Sequence, residues 1–304
     1  MISLLLIFIS ALLFVGIITK VKAKIAARKM PSVFQPLFDI IRLFKKGAIY
    51  SSTTSAIFKI APLVYLASVL MVTLFIPIGS QKGILSFEGD FVFFAYLLGI
   101  GKFMMIVSAM DTGSGFEGMG ANREALYSML VEPAFFILAG SIALFTDNIS
   151  FQDLFMNLHL GSNLSYIIGI AAIYVLIYIA MIENSRMPVD DPKTHLELTM
   201  VHEVMVLDNS GFDLGLIHIA TWLKFTIYGS LISNFIINDS WAWYWQILAF
   251  FGVQFIFAVT VGGLEAFRAR NKMEKNPQWI IMLSAIAVVV FLTTLIITEK
   301  IILN

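Results

Sequence analysis

The chain has no cysteine, and only 13% of its 304 residues are charged, where a soluble domain carries about 25%. Without thiols there is no disulfide framework, no thiolate-held zinc, no cysteine-ligated iron–sulfur cluster and no cysteine nucleophile. An electron carrier must therefore sit on a partner. So little charge excludes an ordinary water-soluble enzyme. Neither sign dominates, since 20 Lys and Arg stand against 20 Asp and Glu, so no field favours nucleic acid or an anionic substrate.

What is abundant is apolar: 59% of the residues are hydrophobic. A spanning helix needs about 20 mostly apolar residues, and eight windows meet that length, at 2–19, 60–78, 91–110, 125–145, 164–182, 219–237, 241–264 and 279–298. The first, second, fifth, seventh and eighth contain no charge. The expected fold is all-α: a polytopic membrane protein of about eight transmembrane helices plus cytoplasmic amphipathic helices, one membrane domain over 1–304. The first window has no basic flank before it and no small-residue cleavage site before Lys20, so it is expected to remain as a helix.

Basic loops stay in the cytoplasm. The loop after the first window holds nine basic residues: Lys20, Lys22, Lys24, Arg28, Lys29, Arg42, Lys45, Lys46 and Lys59. Arg123, Arg186, Lys193, Arg268, Arg270, Lys272 and Lys275 bring that side to 16, against Lys82 and Lys300 opposite. Both termini are expected on the outer side of an inner (plasma) membrane. All five Trp lie near window ends, where an interfacial belt is expected.

Two cytoplasmic loops carry patterns of their own. In the basic loop 20–59, the stretch from Val33 to Lys46 puts Val33, Phe34, Leu37, Ile40, Ile41, Leu43 and Phe44 on one helical arc and Asp39, Arg42, Lys45 and Lys46 on the other, as in a helix lying in the headgroup plane. In the acidic loop 183–213, a helix opened by Pro192 would line up His195, Thr199, His202 and Glu203 on one face, with Glu197 and Asp208 roughly opposite. Polar stripes on two faces exclude a lipid-lying helix and predict burial beside a wet cavity or under a partner.

An ionised acid at the centre of a spanning helix costs about 2.5–3.5 kcal/mol on insertion scales, so acids in or beside the windows need a reason. Glu132 lies among apolar residues, and Pro133 frees a backbone carbonyl one turn earlier. Glu124, Ser128 and Glu132 share one band of the same helix. Glu183 closes the fifth window; Glu197, Glu203 and Asp208 follow it. Gathered toward the cytoplasmic side, such a set can pass protons or bind a cation. It can equally be neutralised by Arg123, Arg186, Lys102 and Lys224 as a packing device. His195 and His202 lack a third metal ligand. Gly113, Gly115, Gly118 and Gly120 lack the strand and the Lys-Ser/Thr of a phosphate loop, and Gly99, Gly101, Gly262 and Gly263 read as close helix packing.

Two long motifs, DTGSGFEGMGANREALYSMLVEP (111–133) and ENSRMPVDDPKTHLELTMVHEVMVLDNSG (183–211), resemble subunit 1 of respiratory complex I. They resemble more closely its relative in membrane-bound group 4 [NiFe] hydrogenases, of the hydrogenase-4 component C or formate hydrogenlyase subunit 4 type. The resemblance covers nearly the whole chain. It implies a membrane-embedded heel under a peripheral arm, with Fe–S clusters and a NiFe centre in partner subunits, antiporter-like membrane neighbours, and no cofactor in this chain. By position it assigns ion-path acids to Glu132, Glu183, Glu197 and Glu203, and supporting roles to Arg186, Pro188 and Asp190. Glu124 and Asp208 join the path, and Arg123 the supporting charges, from the residue reading above. Arg28-Lys29-Met30-Pro31 replaces the family's Arg-Gly-Pro element, and PVDDPKTHLELTMVHE departs from the quinone-type acidic run. Quinone binding, and with it the role of quinone-chamber subunit in an NADH:quinone oxidoreductase, stays open. An independent secondary transporter is the alternative of another class, although no inverted repeat is evident and the acids gather at one face.

Overall fold

Hydrophobic windows become long helices because backbone groups in lipid must be satisfied within their own segment. The computed structural model describes residues 2–159, 163–190 and 200–298. Its helices are α1 (Ile2–Ile25), α2 (Gln35–Phe44), α3 (Ala56–Thr73), α4 (Asp90–Asp111), α5 (Gly115–Thr146), α6 (Phe151–His159), α7 (Asn163–Glu183), α8 (His202–Met205), α9 (Gly211–Asn234), α10 (Trp243–Phe267) and α11 (Asn276–Ile297). Among the described residues eight helices are long and apolar enough to cross a membrane, and no strand forms beyond one isolated bridge between Ile78 and Gln81.

The bundle is organised around α9, which packs against α1, α2, α3, α7 and α10 and is 83% buried over its apolar window, where the last span is 28% buried. Gly215, Ala220, Gly229, Ser230 and Ser233 keep its surface low enough for five neighbours. A second set forms about α5, which meets α4, α7, α8 and α11.

Both α5 and α9 begin well before their hydropathy windows, at Gly115 and Gly211. Their early turns bury Glu117, Glu124 and Asp213 against protein, not lipid, and a hydropathy scale cannot register that environment. Gly115 to Gly120 are therefore helical, and Gly101 and Gly262 sit in close helix contacts, whereas Gly99 and Gly263 face open space.

Two further expectations are corrected. A helix running from Pro192 through Glu203 is interrupted: Met200 and Val201 are not helical, because the Asp190 carboxylate accepts the N–H groups of Val201 (3.2 Å) and His202 (3.1 Å) and so caps a new short helix, α8. Pro192, His195, Glu197 and Thr199 lie outside the described residues. Trp222 is no belt residue; it is 9% exposed inside α9, while Trp241, Trp243 and Trp245 are exposed as expected. Asp39 borders a cavity beneath α2 while staying exposed and 3.6 Å from Arg42, on the polar arc as expected.

A Cβ on Gly120 would run into the Val204 side chain and lie 2.8 Å from the Val201 carbonyl oxygen. Gly120→Val is expected to push α8 off α5 and destabilise the chain by about 1–3 kcal/mol, read as a lower thermal midpoint in detergent; an unchanged midpoint would refute this contact.

Candidate functional site

Four charged side chains from four helices meet inside the bundle. The Lys102 ammonium on α4 lies 3.0 Å from Glu124 Oε1 on α5 and 3.0 Å from Glu183 Oε1 at the end of α7. Lys224 on α9 lies 2.8 Å from Glu183 Oε2 and donates to the Glu183 carbonyl oxygen at 2.7 Å. That carbonyl is one of the acceptors left open at a helix C-terminus, where a cation is favoured. Lys102 and Lys224 are 8% and 1% exposed. At 1.5 Å per residue Lys102 is about 13 Å inside the α4 C-terminus and Lys224 about 20 Å inside the α9 N-terminus, deeper than a gathering at the loop face.

The turn after α7 explains how Glu183 and its neighbours are aimed. Ser185 adopts a left-handed conformation, φ 49°, with Arg186 N–H donating to Met181 O (2.8 Å) and Ser185 N–H to Ile182 O (3.0 Å). This is the glycine-type helix stop made with a serine, whose hydroxyl donates to Glu124 Oε2 at 3.3 Å. The strained backbone thus links α7 to the acid on α5.

A second charge group lies beside the first. Glu265 on α10, fully buried at its side chain, sits 3.2 Å from Arg186 and 2.9 Å from Lys22 on α1. The Arg186 guanidinium also lies over the Phe225 ring, 5.5 Å from its centroid. Asp190 pairs with Arg270 at 2.7 Å. Arg123 donates to the Met200 carbonyl oxygen at 2.9 Å, and Glu117 accepts the Asp208 N–H at 2.9 Å.

Two cavities flank the four-residue network. The larger, about 440 Å³, runs between α1, α2 and α9 and is lined by Asn184, Ser185, Arg186, His202, Glu203 and His218 among others. The smaller, about 30 Å³, is lined by Lys102, Glu132, Glu183 and Tyr228, room for about two waters. Glu203 and Glu132 form no ion pair among the described residues. Burial, reinforced by Asp190 and opposed by Arg186, pushes the Glu203 carboxyl up to about 7. Burial lowers His202 to about 4, so its imidazole is neutral at ordinary pH.

Of the sequence-derived set, Glu124 and Glu183 meet in the network, Glu203 and Arg186 face the larger cavity, and Glu132 faces the smaller one while exposed on the bundle's flank. Asp208 is exposed at the rim with only its backbone engaged by Glu117, Arg123 binds a carbonyl, and Asp190 caps α8. Glu197 lies outside the described residues. Glu265, Lys22 and Arg270 were not among the candidates. Glu265 falls one residue past its apolar window, and a wider window would have caught it.

The sequence pattern of the family described as NADH dehydrogenase matches residues 1–294. Hydrogenase-4 component C of Escherichia coli (strain K12) is 28% identical over 219 residues, covering 72% of this chain and 68% of that protein. Formate hydrogenlyase subunit 4 of the same organism is 27% identical over 201 residues, covering 65% of this chain and 64% of that protein. The matched stretches thus span about two thirds of these relatives' own length. A chain of the membrane-bound sulfane sulfur reductase (MBS), an archaeal respiratory membrane complex, superposes with a TM-score of 0.80 at 19% identity, over 96% of this chain and 98% of that one. That last likeness is one of fold.

Removing one member of a buried ion network leaves its partner charged and dry. Lys224→Met is expected to destabilise the chain by about 3–5 kcal/mol, with the unfolding midpoint in detergent as the measure. For Glu203 the folded carboxyl keeps its proton to about pH 7 while the unfolded one loses it near 4.5, so its effect on stability is a loss as pH rises through that window. His202 acts oppositely: stability it supports above 6.5 is lost as pH falls toward about 4. Relative to wild type, Glu203→Gln should gain stability from pH 4.5 to 7, and the wild-type-minus-variant infrared carboxyl band should titrate with a midpoint near 7; a midpoint below 5 would contradict it.

Proposed function

This chain belongs to the NADH dehydrogenase family, and we propose that it serves as the membrane-embedded docking and ion-translocation subunit of a complex-I-like oxidoreductase of the group 4 membrane-bound hydrogenase type. The observation that carries the reading is a ladder with two unpaired ends. Glu203 opens on the larger cavity; Ser185 on the same cavity wall reaches Glu124; Lys102 joins Glu124 to Glu183; the small cavity joins Lys102 and Glu183 to Glu132.

An ammonium shared equally between two carboxylates transmits charge with little motion. Protonating Glu124 removes half of what holds Lys102, which then turns wholly to Glu183, and through the small cavity the change reaches Glu132. The peripheral arm, holding the Fe–S clusters and the NiFe centre, docks on the basic side above Glu203. Electron transfer there shifts the 183–213 loop and alters the proton affinity of Glu203 and Glu197. Glu132 faces a flank that antiporter-like membrane subunits cover, since a carboxylate exposed to lipid at that depth would go uncompensated. Protons or sodium are carried toward those subunits, with the basic side in the cytoplasm of a plasma membrane.

One observation favours a second reading. A cavity of about 440 Å³ between α1 and α2 has the size of a ligand pocket and suits the quinone-chamber subunit of an NADH:quinone oxidoreductase. Co-purification of a NiFe-type large subunit with hydrogen-dependent activity would support the first reading, and saturable binding of a quinone-site inhibitor to the intact complex the second.

In the intact complex in vesicles, Glu132→Gln and Glu183→Gln are each expected to lower redox-linked ion uptake at least about tenfold, equivalent to a barrier about 1.4 kcal/mol higher. Wild-type stoichiometry and rate in both variants would remove the ion path.

A further inference from the structure

The short helix α2 has two occupied jobs on its two sides, and neither belongs to the ladder of acids. Its inner side, with Gln35, Asp39, Ile40 and Leu43, forms one wall of the larger cavity. Its outer side exposes Phe34, Phe38, Ile41 and Phe44, between 37% and 51% of each. At 100° per residue these four lie within one third of the helix circumference, so the exposure is a continuous apolar stripe.

The helix is fixed in place by its ends. Before it, the Val33 carbonyl presses against Gly16 of α1 so closely that no side chain fits there. At its end the Phe44 ring packs on Gly215, where a Cβ would meet it at 3.0 Å, and on Phe212, with ring centroids 5.3 Å apart. The stripe therefore cannot rotate inward. Gly16 stands a few residues before Lys20, Lys22 and Lys24 on α1, which places α2 at the level where the apolar span gives way to charge.

Around the stripe the charge is net positive. Arg42, its side chain 72% exposed, and exposed Lys45 and Lys46 lie along and after it, and Lys24, Arg28 and Lys29 precede it. Asp39 is the single acid between residues 20 and 59; it borders the cavity, is exposed and lies 3.6 Å from Arg42, so the basic residues remain in excess. An apolar stripe at the membrane boundary with a net cationic rim is complementary to a surface that is apolar within and anionic above.

We propose that α2 seats on anionic phospholipid headgroups of the bilayer, which cover its outer stripe and match its net positive rim. The inference is independent of what the acids of the ladder carry. An uncharged headgroup would satisfy Phe34 and Phe38 and leave the rim unmatched; a protein partner would cover the stripe and exclude lipid.

The test uses the whole complex in nanodiscs, with Phe38→Trp as a reporter measured against the wild-type tryptophan background. Acyl-brominated phosphatidylglycerol and acyl-brominated phosphatidylcholine are compared at equal, dilute fractions in a phosphatidylcholine bilayer. The expected result is reporter quenching several-fold stronger with the anionic lipid, falling to the phosphatidylcholine level when Arg42, Lys45 and Lys46 are changed to Gln. The same triple variant should retain about tenfold less anionic phospholipid after purification. Equal quenching by both lipids would overturn the anionic site, and quenching by neither would show the stripe covered by protein and overturn the lipid assignment. Unchanged phospholipid retention in a correctly assembled triple variant would likewise overturn it.

Discussion

Glu183 stands between two lysine ammonium groups, and the packing of the central helices depends on that arrangement. Lys102 and Lys224 sit far inside α4 and α9, where an isolated cation would cost several kcal/mol; Glu183 meets both, at 3.0 and 2.8 Å. Because Glu183 is the last residue of α7, its helix must stop at that depth. The stop is made with a left-handed Ser185, which delivers a hydroxyl to Glu124 and turns Arg186 toward Glu265. Helices α4, α5, α7, α9 and α10 are thus tied through one turn of chain.

The charges divide unevenly between the two groups. Lys102, Lys224, Glu124 and Glu183 sum to zero when all are ionised. Glu265 alone holds both Lys22 and Arg186, which leaves a positive excess beside the larger cavity. His202 on that cavity is driven toward the neutral form by burial and adds nothing. Of the two carboxyls on that cavity, Asp39 pairs with Arg42 and Glu203 has no ion pair among the described residues; burial together with Asp190 resists ionisation of Glu203. A change in the protonation of Glu203 therefore changes the net charge of the cavity wall by one, a short ion ladder away from Glu132.

Much of this was legible in residues. Eight apolar windows became eight spans, and the i, i+4, i+8 spacing of Glu124, Ser128 and Glu132 did run along one helix. The sequence offered Lys102 and Lys224 as cations that could neutralise the acids, and they do. Which acid meets which lysine was not legible, because a sequence separation of 22 or 81 residues is closed only by the tertiary packing. Asp190, expected as a supporting charge, does pair with Arg270 and is a cap as well: a helix period read through Met200 cannot register that a carboxylate ten residues back takes two N–H groups and restarts the helix. Hydropathy likewise placed the starts of α5 and α9 too late, since it treats a buried Glu117 or Asp213 as if it met lipid.

The distribution of cost along the ladder argues against a scaffold. Buried ion networks are poor stabilisers, and apolar residues of similar volume commonly do as well or better, so a bundle selected for stability alone has no need of Lys102 and Lys224. A structural network would also be satisfied throughout. Here the middle is satisfied and the ends are not: Glu203 forms no ion pair among the described residues, and Glu132 is exposed on the flank of a spanning helix with a water-sized cavity behind it. Unpaired acids at both ends of a neutral, evenly shared centre destabilise the chain where an ion would have to arrive and leave, and nowhere between.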